Sequence, residues 1–245
     1  MKKIWQLLPT TLLLASAVAH GSVQTFISHE QPTSVVELYT SQGCSSCPPA
    51  EKWLSSLTQS PQLWKQVIPL AFHVDYWDYL GWKDPFANKS YSGRQRDYAR
   101  SGGTSSVYTP GFVVAGHEWR GWFQNEPLRL PTAQQAVGKL QLTLDGSNLD
   151  VVFEPKQPAP KDLTLYVARL GFGIDTKIAR GENAGKTIKH DFVVLSLQQV
   201  SSADNNHWHS QLHDDSRGER QAVVAWLGVP GQPAPYQAVG GWIAP

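Results

Sequence analysis

Residues 36–51, VELYTSQGCSSCPPAE, decide how the chain begins to fold. The β-branched run at 35–39 predicts a short strand, and the polar residues at 40–43 predict the turn that ends it. We expect a helix from Pro48 onward, because proline suits a first helical turn and apolar residues then recur on one face. A second buried strand is expected at 67–74. Strand, helix and strand at this spacing predict a βαβ unit with parallel strands.

The rest of the first half alternates between loops, helices and strands. An aromatic loop at 76–82 precedes a helix, for which we expect Asp84 as the N-cap and Pro85 in the first turn. A strand is expected at 112–115, and one more short helix at 131–140. This half of the chain is therefore predicted to be an α/β domain.

The pattern changes after about residue 139. Short runs of alternating apolar residues are separated by Gly, Asn, Asp and Pro, with no helix of normal length between them. Such a pattern is typical of an antiparallel β-sandwich or of a sheet packed on the first half. We therefore predict an α/β domain over 34–138, with the aromatic loop and helix as an insertion, and a β-rich domain over 139–245.

The N-terminus resembles an export signal. Lys2 and Lys3 precede an apolar stretch that ends in small residues at 17–19, which predicts a signal peptide over 1–19. The stretch is shorter than the roughly 18 apolar residues that span a bilayer, and it contains no cysteine for a lipid anchor. We expect a periplasmic or secreted protein without a membrane anchor after cleavage, and a flexible lead-in at 20–33.

Charge argues against some partners. The full chain has 21 Lys and Arg residues and 20 Asp and Glu residues. Removal of the predicted leader takes away two lysines, so the remaining chain has 19 basic and 20 acidic residues and a net charge of −1. This balance provides no electrostatic basis for binding nucleic acid. It provides none for binding an anionic membrane surface either.

The chain has two cysteines, Cys44 and Cys47, at the predicted junction of strand and helix. Unpaired amides and the dipole at a helix N-terminus stabilise a thiolate, the dipole by about 0.3 to 2 kcal/mol. Cys44, nearer the loop and solvent, is the expected nucleophile, and Cys47 is the expected resolving thiol. We therefore predict a thiol-disulfide oxidoreductase that acts by dithiol-disulfide exchange. The expected partners are protein thiols or disulfides in the cell envelope, and no cofactor is expected.

Three other uses of the pair remain open. A structural disulfide is weakly motivated, because closing so short a loop contributes only about 2 kcal/mol, against about 3 for a 15-residue loop. Structural zinc needs four ligands, and no second cysteine pair is present. Inert thiols are unexpected in an oxidising compartment. The alternative function is a non-catalytic envelope binding module with a static disulfide.

Several strings resemble one protein family. Besides residues 36–51 they are 72–86 (FHVDYWDYLGWKDPF), 107–110 (VYTP) and 180–185 (RGENAG). The chain resembles the "domain of unknown function 1223" family of bacterial secreted thioredoxin-like proteins. The resemblance implies a thioredoxin-like fold for the N-terminal domain, but no established substrate.

A thioredoxin-like fold implies a cis-proline opposite the cysteine pair, at the start of a strand. Pro110, preceded by Thr109, matches that position. The backbone of Thr109 is then expected to bind an incoming peptide beside the nucleophile. Trp77, in the aromatic loop, is a further candidate for substrate binding, with a lid packed on the core as the alternative.

Proton transfer and metal binding have weaker candidates. Glu37 precedes the cysteines by seven residues, where thioredoxins keep a buried acid six residues before, so an ordinary glutamate is the alternative. His73 and His117 suggest copper handling, but the copper-delivery proteins of this fold have three residues between their cysteines. A strand-end hydrogen bond explains His73 equally well. No metal ligand is therefore predicted with these residues.

Two further motifs have structural explanations. Residues 181–187, GENAGKT, have three residues between the glycines where a phosphate-binding loop needs four, so we expect a loop between strands. His207, His209 and His213 suggest a metal site, but exposed polar alternation on a half-buried strand explains them as well.

Overall fold

A computed structural model describes residues 22–124, 126–131, 135–200 and 206–244. Three short 3-10 helices occur at Leu57–Gln59, Asp75–Leu80 and Gly121–Gln124. The helices are α1 (Pro48–Ser56) and α2 (Lys89–Arg100), and the strands are β1 (Gln24–Ile27), β2 (Ser34–Thr40), β3 (Val67–His73), β4 (Gly111–Val114), β5 (His117–Glu118), β6 (Gly138–Asp145), β7 (Asn148–Pro155), β8 (Thr164–Phe172), β9 (Ile174–Lys177), β10 (Thr187–His190), β11 (Val193–Val200), β12 (His207–Gln211), β13 (Arg220–Val229) and β14 (Gln232–Trp242).

The βαβ unit predicted from the opening stretch is confirmed. Strands β2 and β3 pair in parallel, from Ser34 opposite Val67 to Thr40 opposite His73, and α1 connects them. Every residue of both strands is buried. This burial explains the nearly continuous apolar runs, because a parallel strand is covered on both faces.

The predicted fold class, a thioredoxin-like α/β domain with a C-terminal antiparallel, sandwich-like β-rich domain, is wrong. The structure is mostly β-sheet, with 43% of residues in strands and 16% in helices, arranged as three sheets. The largest sheet has the order β14-β13-β8-β11-β3-β2-β4-β5, so four of its strands follow residue 139 and four precede it. The two halves join where β11 pairs in parallel with β3, at Val193 and Ala71.

Unpaired backbone groups explain this joining. Alone, the first half would leave the outer edge of β3 without hydrogen-bond partners, although this strand is apolar and buried. In the structure the amide of Ala71 donates to the carbonyl of Phe192 at 2.8 Å, and the β-strands of the second half continue the sheet. The strands predicted after residue 139 are present. Some of them extend the sheet of the first half, and others form further sheets.

The second sheet has the order β1-β6-β7-β12 and covers one end of the first, and β9 and β10 form a separate hairpin. Strand β13 separates two hydrophobic cores. Val224 and Trp226 belong to the core that contains β2, β3 and the helices, whereas Val223 and Leu227 belong to the core under the second sheet. Successive side chains of β13 point to opposite faces of the sheet, so this one strand contributes to both cores.

Several predicted boundaries change in the structure. Helix α2 begins at Lys89, after Asn88 as N-cap, rather than at Asp84 and Pro85. The carboxylate of Asp84 instead accepts a hydrogen bond from the amide of Gln42, next to the cysteine loop, and contacts the ring of His73. Strand β6 begins at Gly138, inside the helix predicted at 131–140, of which residues 132–134 lie outside the described ranges.

The N-terminal expectations have a mixed outcome. The predicted signal peptide, 1–19, lies outside the described residues. The lead-in expected at 20–33 contains β1, which pairs with β6. Within the part of the chain that the structure describes, neither helix has the length and apolar character needed to cross a membrane.

Candidate functional site

Cys44 and Cys47 form a disulfide at the junction of β2 and α1. A tight loop carries them: the amide of Cys44 donates to the carbonyl of Ser41, and the amide of Cys47 to that of Cys44. Cys47 is the N-cap residue of α1, and the two prolines that follow begin the helix as predicted. Both cysteines are 0% exposed. We expected Cys44 to face solvent, so the site is more enclosed than predicted.

Trp77 lies over the cysteine loop and connects it to the proline loop. A Cβ atom placed on Gly43 would be 3.1 Å from Cβ of Trp77, so the tryptophan contacts the residue before Cys44. Its indole N–H donates to Oγ1 of Thr109 at 2.7 Å. The Thr109-Pro110 peptide bond is cis, as predicted. Trp77 is therefore packed between the two loops, and its two alternative roles, substrate binding and a packed lid, stay predictions.

The proline loop lies at the same end of the sheet as the cysteines. Strand β4 follows Pro110 directly and pairs antiparallel with β2, with Gly111 opposite Tyr39. The chain leaves β2 one residue later to form the cysteine loop. The register thus brings Pro110 to the end of β2 from which that loop departs.

A loop from the second half of the chain closes the site from another side. The side-chain amide of Asn183 donates to the carbonyls of Gln42 and Cys44, each at 2.9 Å, and Glu182 accepts from the amide of Ser45. Asn183 is fully buried. Residues 181–185 connect β9 to β10, so the prediction of a loop between strands is confirmed.

We expect Asn183→Ala to lower the free energy of unfolding by about 1 to 3 kcal/mol. The substitution leaves the carbonyl of Gln42 without this donor, and the carbonyl of Cys44 with only the amide of Cys47. Urea unfolding of the oxidised protein measures the change. Glu182→Ala is the matched control, because Glu182 is exposed and the loss of an exposed side chain should cost much less. Equal stability of both variants would contradict the assigned role of the asparagine.

A buried hydrogen-bond chain lies beneath the cysteine loop. Glu51 of α1 accepts from Thr40 at 2.6 Å and contacts Nδ1 of His190 at 2.5 Å. The other ring nitrogen of His190 is 3.0 Å from Nε2 of Gln42, whose Oε1 accepts from the indole N–H of Trp82 at 2.9 Å. Burial raises the pKa of the Glu51 carboxyl, but its contacts, with His190 foremost, outweigh burial and lower it overall.

This chain of hydrogen bonds determines which ring nitrogen of His190 carries the proton. Because an indole N–H can only donate, the amide of Gln42 presents its oxygen to Trp82 and its NH2 group to the imidazole. Nε2 of His190 therefore accepts, and Nδ1 carries the proton and donates to Glu51.

His73 and Asp84 form a second buried pair beside this chain. Nδ1 of His73 is 2.7 Å from Asp84, which also accepts from the amides of Gln42 and Phe86. Burial lowers the pKa of His73, but Asp84 outweighs it and raises the pKa overall. Burial raises the pKa of Asp84, but His73 and the two amides hold it below its ordinary value.

Glu37 lies on the opposite face of β2 from α1. Its oxygens accept from the guanidinium of Arg94 at 2.7 Å and from the hydroxyls of Tyr39 and Tyr98. Strand alternation places Thr40, and with it Glu51, on the other face. The buried carboxylate on the α1 side, four residues after Cys47, is thus Glu51. Its helical spacing from the cysteine is the signal in the sequence that points to it.

The predicted histidines are placed apart. His73 joins Glu51 and His190 in one buried group, whereas His117 is exposed on β5 at the far edge of the large sheet. Of the three later histidines, His207 and His209 both contact Asp150 on the surface, and His213 is outside that group.

Five residues of the site were not predicted as site residues from the sequence. Gln42 lies in the turn of the βαβ unit and Glu51 in its helix, whereas Asp84, Asn183 and His190 lie outside the unit. Asn183 and His190 follow Cys47 by more than 130 residues. Asn183 lies in the motif at 180–185, but nothing in the motif connects it with the cysteines. Only the pairing of β11 with β3 brings this part of the chain to the cysteines.

Two solved structures share the fold. Protein AGR_C_4864 from Agrobacterium tumefaciens has 23% identity and a TM-score of 0.58, over 88% of this chain and 96% of that one. HBP35 of Porphyromonas gingivalis has 12% identity and a TM-score of 0.56, over 87% of this chain and 76% of that one. No curated protein has a significantly similar sequence.

The family comparison agrees with the resemblance of the sequence motifs. The profile of a family described as "Protein of unknown function (DUF1223)" matches residues 35–228. The match includes the cysteine loop, the proline loop and the loop of Asn183. The chain belongs to the DUF1223 family.

Proposed function

We propose that this protein is an exported thiol-disulfide oxidoreductase whose redox centre is the disulfide between Cys44 and Cys47. The observation that carries the proposal is the position of the pair, at the first turn of a helix that follows a buried strand. The loop of Thr109 and Pro110 lies at the same end of the sheet, where a peptide backbone could bind. The predicted leader supports export, and protein thiols or disulfides of the envelope are the proposed partners.

The exchange conserves atoms and electrons. A client thiolate attacks Sγ of Cys44, a mixed disulfide forms, and the bond to Cys47 breaks, so that Cys47 leaves as a thiolate. A second client thiolate then attacks the client sulfur of the mixed disulfide, and Cys44 leaves. The client is oxidised to a disulfide and the protein is reduced to a dithiol. The reverse sequence reduces a client disulfide.

Local groups support the thiolates in this scheme. The hydroxyl of Ser46 is 3.4 Å from Sγ of Cys44 and can donate to the sulfur when it is charged. The dipole at the start of α1 stabilises a negative charge at Cys47 by about 0.3 to 2 kcal/mol. Both effects favour the reduced form and the departure of the leaving thiolate.

Exchange requires the side chains that cover the buried cysteines to move, and we assign Trp77 to this cover because it contacts Gly43, the residue before Cys44. Trp77→Ala removes the hydrogen bond to Thr109, worth about 1 to 1.5 kcal/mol. We expect reduction of the disulfide by dithiothreitol to become about tenfold faster, because tenfold in rate corresponds to about 1.4 kcal/mol. Thiol alkylation followed by mass spectrometry measures the rate. Tyr79→Ala is the control, because this side chain is 81% exposed at the same 3-10 helix. An unchanged rate for Trp77→Ala would remove the tryptophan from the cover.

Trapping tests the proposed function. In Cys47→Ala the resolving thiol is absent, so Cys44 should accumulate mixed disulfides with an unfolded client protein that contains disulfides. Non-reducing gels and mass spectrometry detect the adducts, and the variant that lacks both cysteines is the control. The wild-type protein should catalyse disulfide exchange in the same client. Absence of adducts together with absence of catalysis would rule out an oxidoreductase.

A second candidate function is a binding module with a static disulfide. The complete burial of both cysteines favours it, because a structural disulfide has no need of access. The reduction potential separates the two functions. A value below about −300 mV is typical of structural disulfides that resist reduction by glutathione, whereas a higher value supports exchange.

A further inference from the structure

Glu51, His73 and His190 form a compact group of side chains behind the cysteine loop. All three are buried, and one potential ligand atom from each lies within 4.8 Å of the others. The three residues come from α1, β3 and β10, which are separated widely in the chain. We propose that this group is a binding site for one divalent transition-metal ion of the zinc type, held by two imidazoles and one carboxylate.

A buried ring nitrogen of His73 favours a bound cation. Among the residues that the structure describes, Nε2 of His73 has no hydrogen-bond partner, although the residue is only 1% exposed. Nδ1 is committed to Asp84, which is a carboxylate that accepts two backbone amides as well. The ring therefore offers Nε2, with its lone pair free when the imidazole is neutral. A metal ion at this position would satisfy it.

The other ring nitrogen of His73 has the hydrogen-bond partner that metal-binding histidines commonly have. A histidine that binds a metal commonly donates its other ring N–H to a carboxylate, which orients the ring and raises its basicity. Asp84 provides this contact for His73, and its position is set by the amides of Gln42 and Phe86. The orientation of His73 is thus determined before any ion binds.

The charge of the group also favours a cation. Glu51 and Asp84 are two buried carboxylates whose ring partners are His190 and His73, and among the contacts of the described residues neither has a Lys or Arg partner. Burial of a carboxylate without a full counter-charge is costly. One divalent cation would balance both carboxylates. Two imidazoles and one carboxylate with an open position are a donor set used for Zn²⁺.

Binding has one local consequence that can be observed. An ion on Nδ1 of His190 displaces the proton that this atom now donates to Glu51, and the neutral ring takes up a proton at Nε2. The amide of Gln42 must then turn its oxygen toward Nε2, and Trp82 loses its acceptor. Metal binding therefore reverses the tautomer of His190 and changes the surroundings of the Trp82 indole.

Titration of the oxidised full chain with Zn²⁺ and Co²⁺ tests the proposal. The disulfide keeps the cysteines from acting as ligands, so the readout is independent of thiol exchange. The exposed group of Asp150, His207 and His209 is a competing site, and the double substitution His207→Ala and His209→Ala removes it. In this background we expect one equivalent of ion by calorimetry, and visible Co²⁺ absorption without a thiolate charge-transfer band.

Two further substitutions in that background identify the ligands. Glu51→Gln and His73→Gln should each weaken metal binding by about 100-fold or more. Loss of a residue that only hydrogen-bonds a metal ligand weakens binding by about 10- to 100-fold, so loss of a ligand itself should cost more. If either variant fails to fold, nitrogen NMR of the folded background protein decides: Zn²⁺ should move the proton of His190 from Nδ1 to Nε2. No binding in the background protein, binding that both variants retain, or an unchanged tautomer would overturn the proposal.

Discussion

Glu37→Ala is expected to lower the free energy of unfolding by about 3 to 5 kcal/mol, the range measured when one partner of a buried ion pair is removed. Glu37 accepts two hydrogen bonds from the guanidinium of Arg94 and one from each of two tyrosine hydroxyls. Its side chain is 1% exposed, and that of Arg94 is 10% exposed. The substitution leaves a buried guanidinium without its counter-charge.

The pair also connects distant parts of the chain. Arg94 of α2 donates to the carbonyl of Pro233 at 2.9 Å in β14, and it lies over the ring of Trp226 in β13. Loss of Glu37 in β2 therefore weakens the attachment of the helix to both halves of the large sheet. The effect should be seen as a reduced midpoint in urea with an unchanged slope, since the protein still unfolds as one unit.

A matched control lies on the same helix. Asp97 and Arg100 form an ion pair three residues apart, with side chains 52% and 71% exposed. Exposed pairs contribute about 0 to 1 kcal/mol, so Asp97→Ala should change stability by less than 1 kcal/mol. If Glu37→Ala is no more destabilised than this control, the buried pair does not hold the helix to the sheet.

A fragment of residues 34–138 is expected not to fold by itself. It contains the whole of the α/β domain predicted from sequence, but it lacks β8, β11, β13 and β14, which form half of the large sheet. The outer edge of β3 would be unpaired, and the core would lose Phe172, Phe192 and Trp226. Each of these aromatic side chains would cost about 3 to 5 kcal/mol if it were replaced by alanine, and a whole domain is stable by only about 5 to 15 kcal/mol.

Circular dichroism in urea checks this expectation. The full chain should give one cooperative transition, whereas the fragment should show a gradual change without a native baseline. The disulfide of the fragment should also become open to dithiothreitol, because Asn183 and its loop are absent. A fragment with a cooperative transition would establish two independent domains and contradict the role that we assign to the joined sheet.

The order of local elements follows closely from the sequence around the cysteines. The polar turn and the two prolines place a strand end and a helix start within a few residues, and the structure has β2, the loop and α1 there. Predictions based on single residues were weaker. Asp84 has the features of an N-cap, but it binds His73 and Gln42 instead, and Asn88 caps α2.

Strand β14 shows another limit of local patterns. Pro233 and Pro235 argue against a strand, yet both lie in β14, which is an edge strand of the large sheet. Proline is tolerated at an edge, where one side of the strand has no partner to receive its missing N–H. The position of a strand within a sheet is a tertiary property, so the sequence of β14 alone could not indicate that it pairs with β13.

The family resemblance implied the place of Pro110 opposite the cysteines, whereas the sequence by itself determined the βαβ unit and the position of the cysteine pair at its turn. These features depend on local periodicity and on turn and proline geometry within short stretches. Only the tertiary structure decided that both halves share one sheet and that His190 and Asn183 reach the cysteine loop. The physical reason is that a buried strand edge and buried polar groups must find partners, and those partners lie more than 100 residues away in the chain.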